Sequence, residues 1–168
     1  LVLRPLTTAD YKAVHAYASV LDNVVYMEWG PNTKGDTIKF LRECEEKAKK
    51  TPRLHYDFGI LFASSRQLIG ACGLYLTSRE NQAEMGWVLH RDYWNKGYMT
   101  QAAKALISFG FEDLSLHRIT ACANPDNMGS WRVMEKVGMR REAHQIKARF
   151  GRVGNAETWY DVVQYAIL

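Results

Sequence analysis

Two stretches of this chain gather residues able to hold an anion and to move a proton. The first runs from Ala83 to Thr100, AEMGWVLHRDYWNKGYMT. A strand-like run leads into a glycine-containing turn over 93–99, and a helix is expected to begin at Thr100. A helix N-terminus carries four unpaired amides and a partial positive charge. Placed after a tight turn, it makes a phosphate site. Gly97 lets the backbone approach an anion closely, Lys96 adds a cation, and Thr100 is of a type suited to a cap. The spaced glycines of a dinucleotide fingerprint and the Gly-Lys-Ser/Thr of a P-loop are both missing. Taken alone, the stretch reads equally well as an ordinary strand–turn–helix junction.

The second stretch is ANPDNMGSWRVMEKVGM, residues 123–139. Asn124 and Asn127 offer donors and acceptors suited to an amide-rich ligand, though either in isolation reads as a turn or cap residue. Ser130 supplies a hydroxyl at the start of a helical run. Glu84 stands on an otherwise apolar strand, where a carboxylate needs a reason. Burial there would raise its pKa toward the range of a general base; a solvated strand residue, or a carboxylate bonded to neighbouring backbone, is the equal alternative. His90 has a suitable unperturbed pKa but follows the strand at the mouth of the turn, which makes it the weaker candidate. Cys44, Cys72 and Cys122 are scattered, form no metal spacing, and read as reduced packing residues. No Ser-His-Asp or Cys-His arrangement stands out.

The elements that must position these groups alternate between strand and helix patterns. LVLRPL is a short strand, with cap-type Thr7, Thr8 and Asp10 before the helical AVHAYASVL. Residues 23–31 break the pattern with VVYMEWGP, which could line a groove or pack as core. A helix over 34–50 has an apolar face of Ile38, Phe40, Leu41 and Cys44, and Pro52 ends it. YDFGILFAS and QLIGACGLYLT read as a hairpin, and AEMGWVLH as the next strand. The helix TQAAKALISFGFEDL, the strand HRITACANP and a helix closed by Gly138 follow. Two strands, REAHQIKARF and ETWYDVVQYAI, end the chain. The pattern predicts an α/β domain with a mixed, mostly antiparallel sheet, a single domain over residues 1–168.

With 168 residues and 47% apolar content, the chain can bury a sizeable core. Apolar runs are too short for a membrane span, and no signal-like segment opens the sequence, so the expectation is a cytoplasmic protein without a membrane partner. A formal charge of +4, without a basic stripe interleaved with aromatics, argues against direct nucleic-acid binding.

Taken together, AEMGWVLHRDYWNKGYMTQAAKAL and HRITACANPDNMGSWRVMEKVGM resemble the GNAT superfamily of N-acetyltransferases, and within it the branch that acetylates ribosomal-protein N-termini. The resemblance spans the chain from LRPLTTADY to DVVQYAIL. It implies a GNAT-like fold with about four helices, splayed between its fourth and fifth strands, and acetyl-CoA as cosubstrate with no metal. The turn Trp94, Asn95, Lys96, Gly97, Tyr98, Met99 and Thr100 would cradle the pyrophosphate. Asn95 and Met99 stand where this branch has Gly and Ala. Trp87, Val88 and Leu89 would lie along the pantetheine arm, with Asn124 and Asn127 opposite and an oxyanion donor near the Val88 amide. Glu84 would serve as base and Ser130 would sit near the leaving sulfur. Tyr26, Met27 and Trp29, with the loops before residue 84 and near 151–156, would form the acceptor side. Tyr160 and Asp161 would orient the acceptor or simply hold adjoining strands.

The implied reaction is direct acetyl transfer to a primary amine, with a protein or peptide N-terminus the leading acceptor. A small-molecule amine (a polyamine, an amino acid or an antibiotic) is the alternative, and a non-catalytic acyl-CoA sensor is a further one. An acidic site for a polycation is not evident, since Glu28 is the one acid in VVYMEWGP. Such domains occur as monomers or homodimers.

Overall fold

A computed structural model describes residues 1–77, 81–153 and 156–168. Seven strands form one sheet: β1 (Val2–Pro5), β2 (His55–Leu61), β3 (Leu68–Leu76), β4 (Gln82–Leu89), β5 (Arg118–Ala123), β6 (Arg140–Val153) and β7 (Ala156–Ile167). Their spatial order is β1-β2-β3-β4-β5-β7-β6. All neighbours are antiparallel except β4 and β5. That one parallel pair needs a crossover, and α4 (Tyr98–Ser108) makes it.

The parallel pairing is brief. Gln82–Glu84 match Arg118–Thr120; beyond them β4 runs on to Leu89 and β5 to Ala123 without further pairing to each other. The sheet therefore splits at its centre, as the sequence resemblance predicted.

On one face α4 buries Met99, Ala102, Ala103, Leu106 and Ile107 in a core with Ile60, Leu74, Met85 and Ile119. After α4 the chain continues through a π-helical turn, Phe109–Asp113. A Cβ on Gly110 in that turn would lie 2.7 Å from Ile119 Cδ1, so the close approach requires glycine. The following helix α5 (Met128–Lys136) ends as the sequence predicted. Gly138 takes φ 91, and the amides of Gly138 and Met139 bond to the carbonyls of Glu135 and Met134, a Schellman closure.

The other face carries α1 (Tyr11–Ala18), the single turn α2 (Leu21–Val24) and α3 (Lys34–Ala48). Leu6, Val14, Tyr17, Ala18, Leu41, Cys44 and Ala71 form a second, smaller core there. The α3 face differs from the expectation. Thr37, Leu41 and Cys44 are its buried residues, at helical spacing, whereas Ile38 and Phe40 stay over a third exposed. Among the described residues no helix is long and apolar enough to cross a membrane.

Candidate active site

The turn after β4 is built to leave amides free. The helix starts at Tyr98, not at Thr100, and Gly97 is its cap in the left-handed region at φ 77. Thr100 is thus the third helical residue, and its side chain makes no cap. The Gln101 amide bonds to Gly97 O at 3.0 Å, which leaves the amides of Gly97, Tyr98, Met99 and Thr100 without an intrahelical acceptor. A Cβ on Gly97 would meet nothing within 4 Å, so the space before these amides is open. Asn95 adopts φ 59, a conformation asparagine tolerates better than most residues. Met99 turns into the core and is 6% exposed, so its bulk does not obstruct the turn. Lys96 Nζ donates to Asp92 O at 2.8 Å, and Tyr98 packs edge-on against Phe62.

Trp94 has a structural task there. Its indole N–H donates to Leu89 O at 2.7 Å, folding the turn back onto the end of β4. The same carbonyl accepts from Asn23 Nδ2 at 2.9 Å, and Asn23 Oδ1 accepts the Arg91 amide. Asn23 is buried and Arg91 is paired with Asp22. One carbonyl thus joins α2, β4 and the turn.

The splay exposes alternate backbone groups of β4. Thr77 N–H bonds to Gln82 O and His90 N–H to Ile69 O, which with the register of the β3–β4 pair sets the alternation. Glu84, Gly86 and Val88 point their backbone groups toward β3; Trp87 and Leu89 point theirs into the gap. The Val88 amide is therefore turned away from the gap, contrary to its expected oxyanion role. Across the gap, Asn124 is buried and its Oδ1 accepts the Asp126 amide at 2.9 Å. Asn127 caps α5 by accepting the Ser130 amide at 3.2 Å. These oxygens serve the turn and the cap; the amide groups beside them remain as donors.

On the opposite side of β4, Glu84 is not buried. Its side chain is 47% exposed and lies 4.0 Å from Arg149 Nη2. The reason is register: Glu84 shares the open face with Gly86, where no bulk covers it. Arg149 also pairs with Glu28. Burial opposes the charge on Arg149, but these carboxylates raise its pKa overall. Tyr160 is opposite Arg149 in the β6–β7 register; burial and then Glu28 push its phenol up. The Cys122 thiol is raised by burial first and by Glu84 second. Asp161 holds the hairpin itself. It accepts from the Lys147 amide at 2.9 Å and from His144 Nε2 at 2.8 Å, across the irregularity between Gln145 and Arg149. Of its two expected tasks, the geometry gives it the joining of strands.

A cavity of about 560 Å³ lies between α1, α3, the 27–32 segment and the sheet. Met27 and Trp29 line it, while Tyr26 is 40% exposed. VVYMEWGP thus lines a groove. The floor is a row in register: Asp57 opposite Gly73, and Gly73 opposite Gly86. Glycines there make room for the Tyr75 ring, whose hydroxyl donates to Asp57 Oδ1 at 3.1 Å. Asp57 is 8% exposed. Burial pushes the thiols of Cys44 and Cys72 up to about 12, with Asp57 the next cause. Asp36, Glu43 and Lys39 reach the cavity from α3. The lining is therefore acidic, unlike the sequence expectation, because its acids come from β2 and α3. The loop at 78–80 and the residues 154–155, expected on the acceptor side, lie outside the described residues.

Sequence reasoning missed Asp57, Tyr75 and Arg149. Asp57 carried the same signal as Glu84, a carboxylate on an apolar strand. Arg149 carried none, since it stands in a strand where charges alternate. Among the described residues no group of three or more His, Cys, Asp or Glu could hold a metal ion.

Residues 1–140 match the family described as acetyltransferase (GNAT) domain. An acetyltransferase (GNAT family) from Bacillus anthracis is 34% identical, with a TM-score of 0.85 over 99% of this chain and 93% of that one. A spermidine N-acetyltransferase from Vibrio cholerae in complex with CoA and spermine shares the fold at 20% identity and a TM-score of 0.83, over 99% and 94%. A ribosomal-protein-S5-alanine acetyltransferase from Vibrio fischeri does so at 21% and 0.81, over 99% and 91%.

Proposed function

This chain belongs to the GNAT acetyltransferase family, and from that premise we propose an acceptor and a division of labour among its residues. It is an enzyme that uses acetyl-CoA, whose thioester supplies an acetyl group activated for transfer to an amine. The proposed acceptor is a small primary amine. One observation carries this reading: the cavity of about 560 Å³ ends against Gly86–Val88, back to back with the splay.

The open amides of Gly97, Tyr98, Met99 and Thr100 suit the pyrophosphate, with charge attraction from the helix end. The gap-facing backbone groups of Trp87 and the Leu89 amide, with Asn124 and Asn127 opposite, suit the pantetheine arm. Glu84 takes the proton from the incoming ammonium through water, and Arg149, shared with Glu28, positions it. Ser130 donates toward the departing sulfur. The Trp87 or Leu89 amide replaces that of Val88 as donor to the developing oxyanion, and Tyr160 stands beside Arg149 as its cross-strand partner.

A second reading is a protein or peptide N-terminus, as in the ribosomal-protein branch. It is favoured by Phe150 and Trp159, packed edge-on with ring centroids 5.5 Å apart and both more than half exposed on the hairpin that carries Arg149. The test is thiol release from acetyl-CoA across small primary amines and peptides beginning with small residues. Turnover on the amines alone supports the first reading, and turnover on peptides alone replaces it with the second.

A further inference from the structure

Asp57 is the feature of the cavity that acetyl transfer itself does not need. It is more than nine-tenths buried, and among the described residues no Lys, Arg or His pairs with it. Its neighbours are neutral or weakly acidic: the Tyr75 hydroxyl, which donates to Oδ1, and the thiols of Cys44 and Cys72. A carboxylate taken out of water without a countercharge is costly. Yet this one faces a cavity large enough for a small organic molecule. Glu43 lies on the same lining, 42% exposed at its side chain and 3.5 Å from Lys47. Asp36 is there too, though its carboxylate is spent on Thr33. Among the described residues Lys39 is the one basic residue of the lining, and it makes no ion pair with Asp57.

The register fixes where Asp57 stands relative to the chemistry. Asp57, Gly73 and Gly86 are successive partners on β2, β3 and β4. Two strand spacings separate the first from the last, roughly 10 Å. Between them the Tyr75 ring covers Gly73, and Tyr75, Trp29 and Phe40 all line the cavity.

We propose that Asp57 is a specificity-determining residue: it receives a second cationic group of the acceptor, whose apolar body lies along the Tyr75 ring between Asp57 and the reacting amine at Gly86. The substrate class is then an amphipathic amine with two cationic ends some 10 Å or less apart. The inference rests on the small-amine reading and sharpens it.

The experiment is calorimetric titration of the CoA-loaded protein with hexane-1,6-diamine and with hexylamine, for the wild type, Asp57→Asn and Glu43→Gln. Asparagine keeps an acceptor for the Tyr75 hydroxyl, and thermal melts check that the variant is folded. The wild type is expected to bind the diamine at least about tenfold more tightly than the monoamine, as a charge-assisted hydrogen bond provides. Asp57→Asn is expected to erase that preference while leaving hexylamine affinity within about twofold, and Glu43→Gln, at the rim, to reduce it about two- to threefold. Equal wild-type affinities, or a preference that survives Asp57→Asn, overturn the inference. Acetyl transfer to the same amines is measured in parallel. Transfer without a diamine preference leaves the proposed reaction standing; an Asp57-dependent preference without transfer sinks the small-amine reaction and keeps Asp57 as a cation receptor.

Discussion

On one side of β4 the groups proposed to face acetyl-CoA are backbone amides, those of Gly97–Thr100, Trp87 and Leu89. On the other, those proposed to face the amine are the side chains of Asp57, Tyr75, Glu84 and Arg149, carried by four different strands. The first set is fixed by conformation: a left-handed glycine and an interrupted strand pairing. Most substitutions there leave the amides in place. The second set is fixed by residue identity, so a single exchange changes its charge or shape. The cofactor side can thus stay constant while the acceptor side is altered, and the two should fail differently when perturbed.

The largest expected separation comes from Glu84→Gln. If Glu84 is the base, kcat falls by about a hundredfold or more while the Kd for acetyl-CoA stays unchanged; a fall under threefold would remove it from that role. Gly97→Val is the mirror experiment. A β-branched residue at φ 77 is strained, and its side chain enters the open space before the amides. Acetyl-CoA affinity should drop about tenfold with amine affinity unaffected, as read by separate titrations. Gly73→Ala returns to the acceptor side. Its Cβ would lie 2.7 Å from the Tyr75 hydroxyl and 2.9 Å from Tyr56 O, so a loss of about 1–3 kcal/mol in denaturant melts is expected, with several-fold weaker amine binding and intact cofactor binding. Trp94→Phe deletes the indole bond to Leu89 O and should weaken acetyl-CoA binding about threefold.

The smallest effect is on stability against pH. Burial pushes Asp10 up, but its two bonds to Arg4 and the Thr7 amide outweigh this, so its pKa lies below the usual value. Because the unfolded value is the higher one, the contribution is complete above the ordinary carboxylate range and disappears as pH falls through the lowered folded value. Acid melts of Asp10→Asn should therefore show a flatter decline below about pH 4 than the wild type.

The contrast also explains what could be read from the sequence. The glycine turn and the helix closure at Gly138 are local features, and the placement of Gly97 and Gly138 carried them; the splay came only with the family resemblance. The helix start was displaced from Thr100 to Tyr98 because a left-handed glycine can cap without a side chain. Face-level readings failed where tertiary context decides. Phe40 was expected on the apolar face and lines the cavity instead; Glu84, open between a buried base and a solvated strand residue, stands half-exposed beside Arg149. The row Asp57–Gly73–Gly86 joins residues from three strands, and only the register brings them together.

The carbonyl of Leu89, held at once by Asn23 and Trp94, has a practical consequence for redesign. A chimera that replaces residues 21–32 to import a new acceptor specificity would remove Asn23 and release one of the two restraints on the end of β4. Such a graft should show faster amide hydrogen exchange at Arg91 and a looser hold on acetyl-CoA, even though no residue of the 93–100 turn has changed. Transplanting the loop while retaining Asn23 and Asp22 would be the more conservative splice.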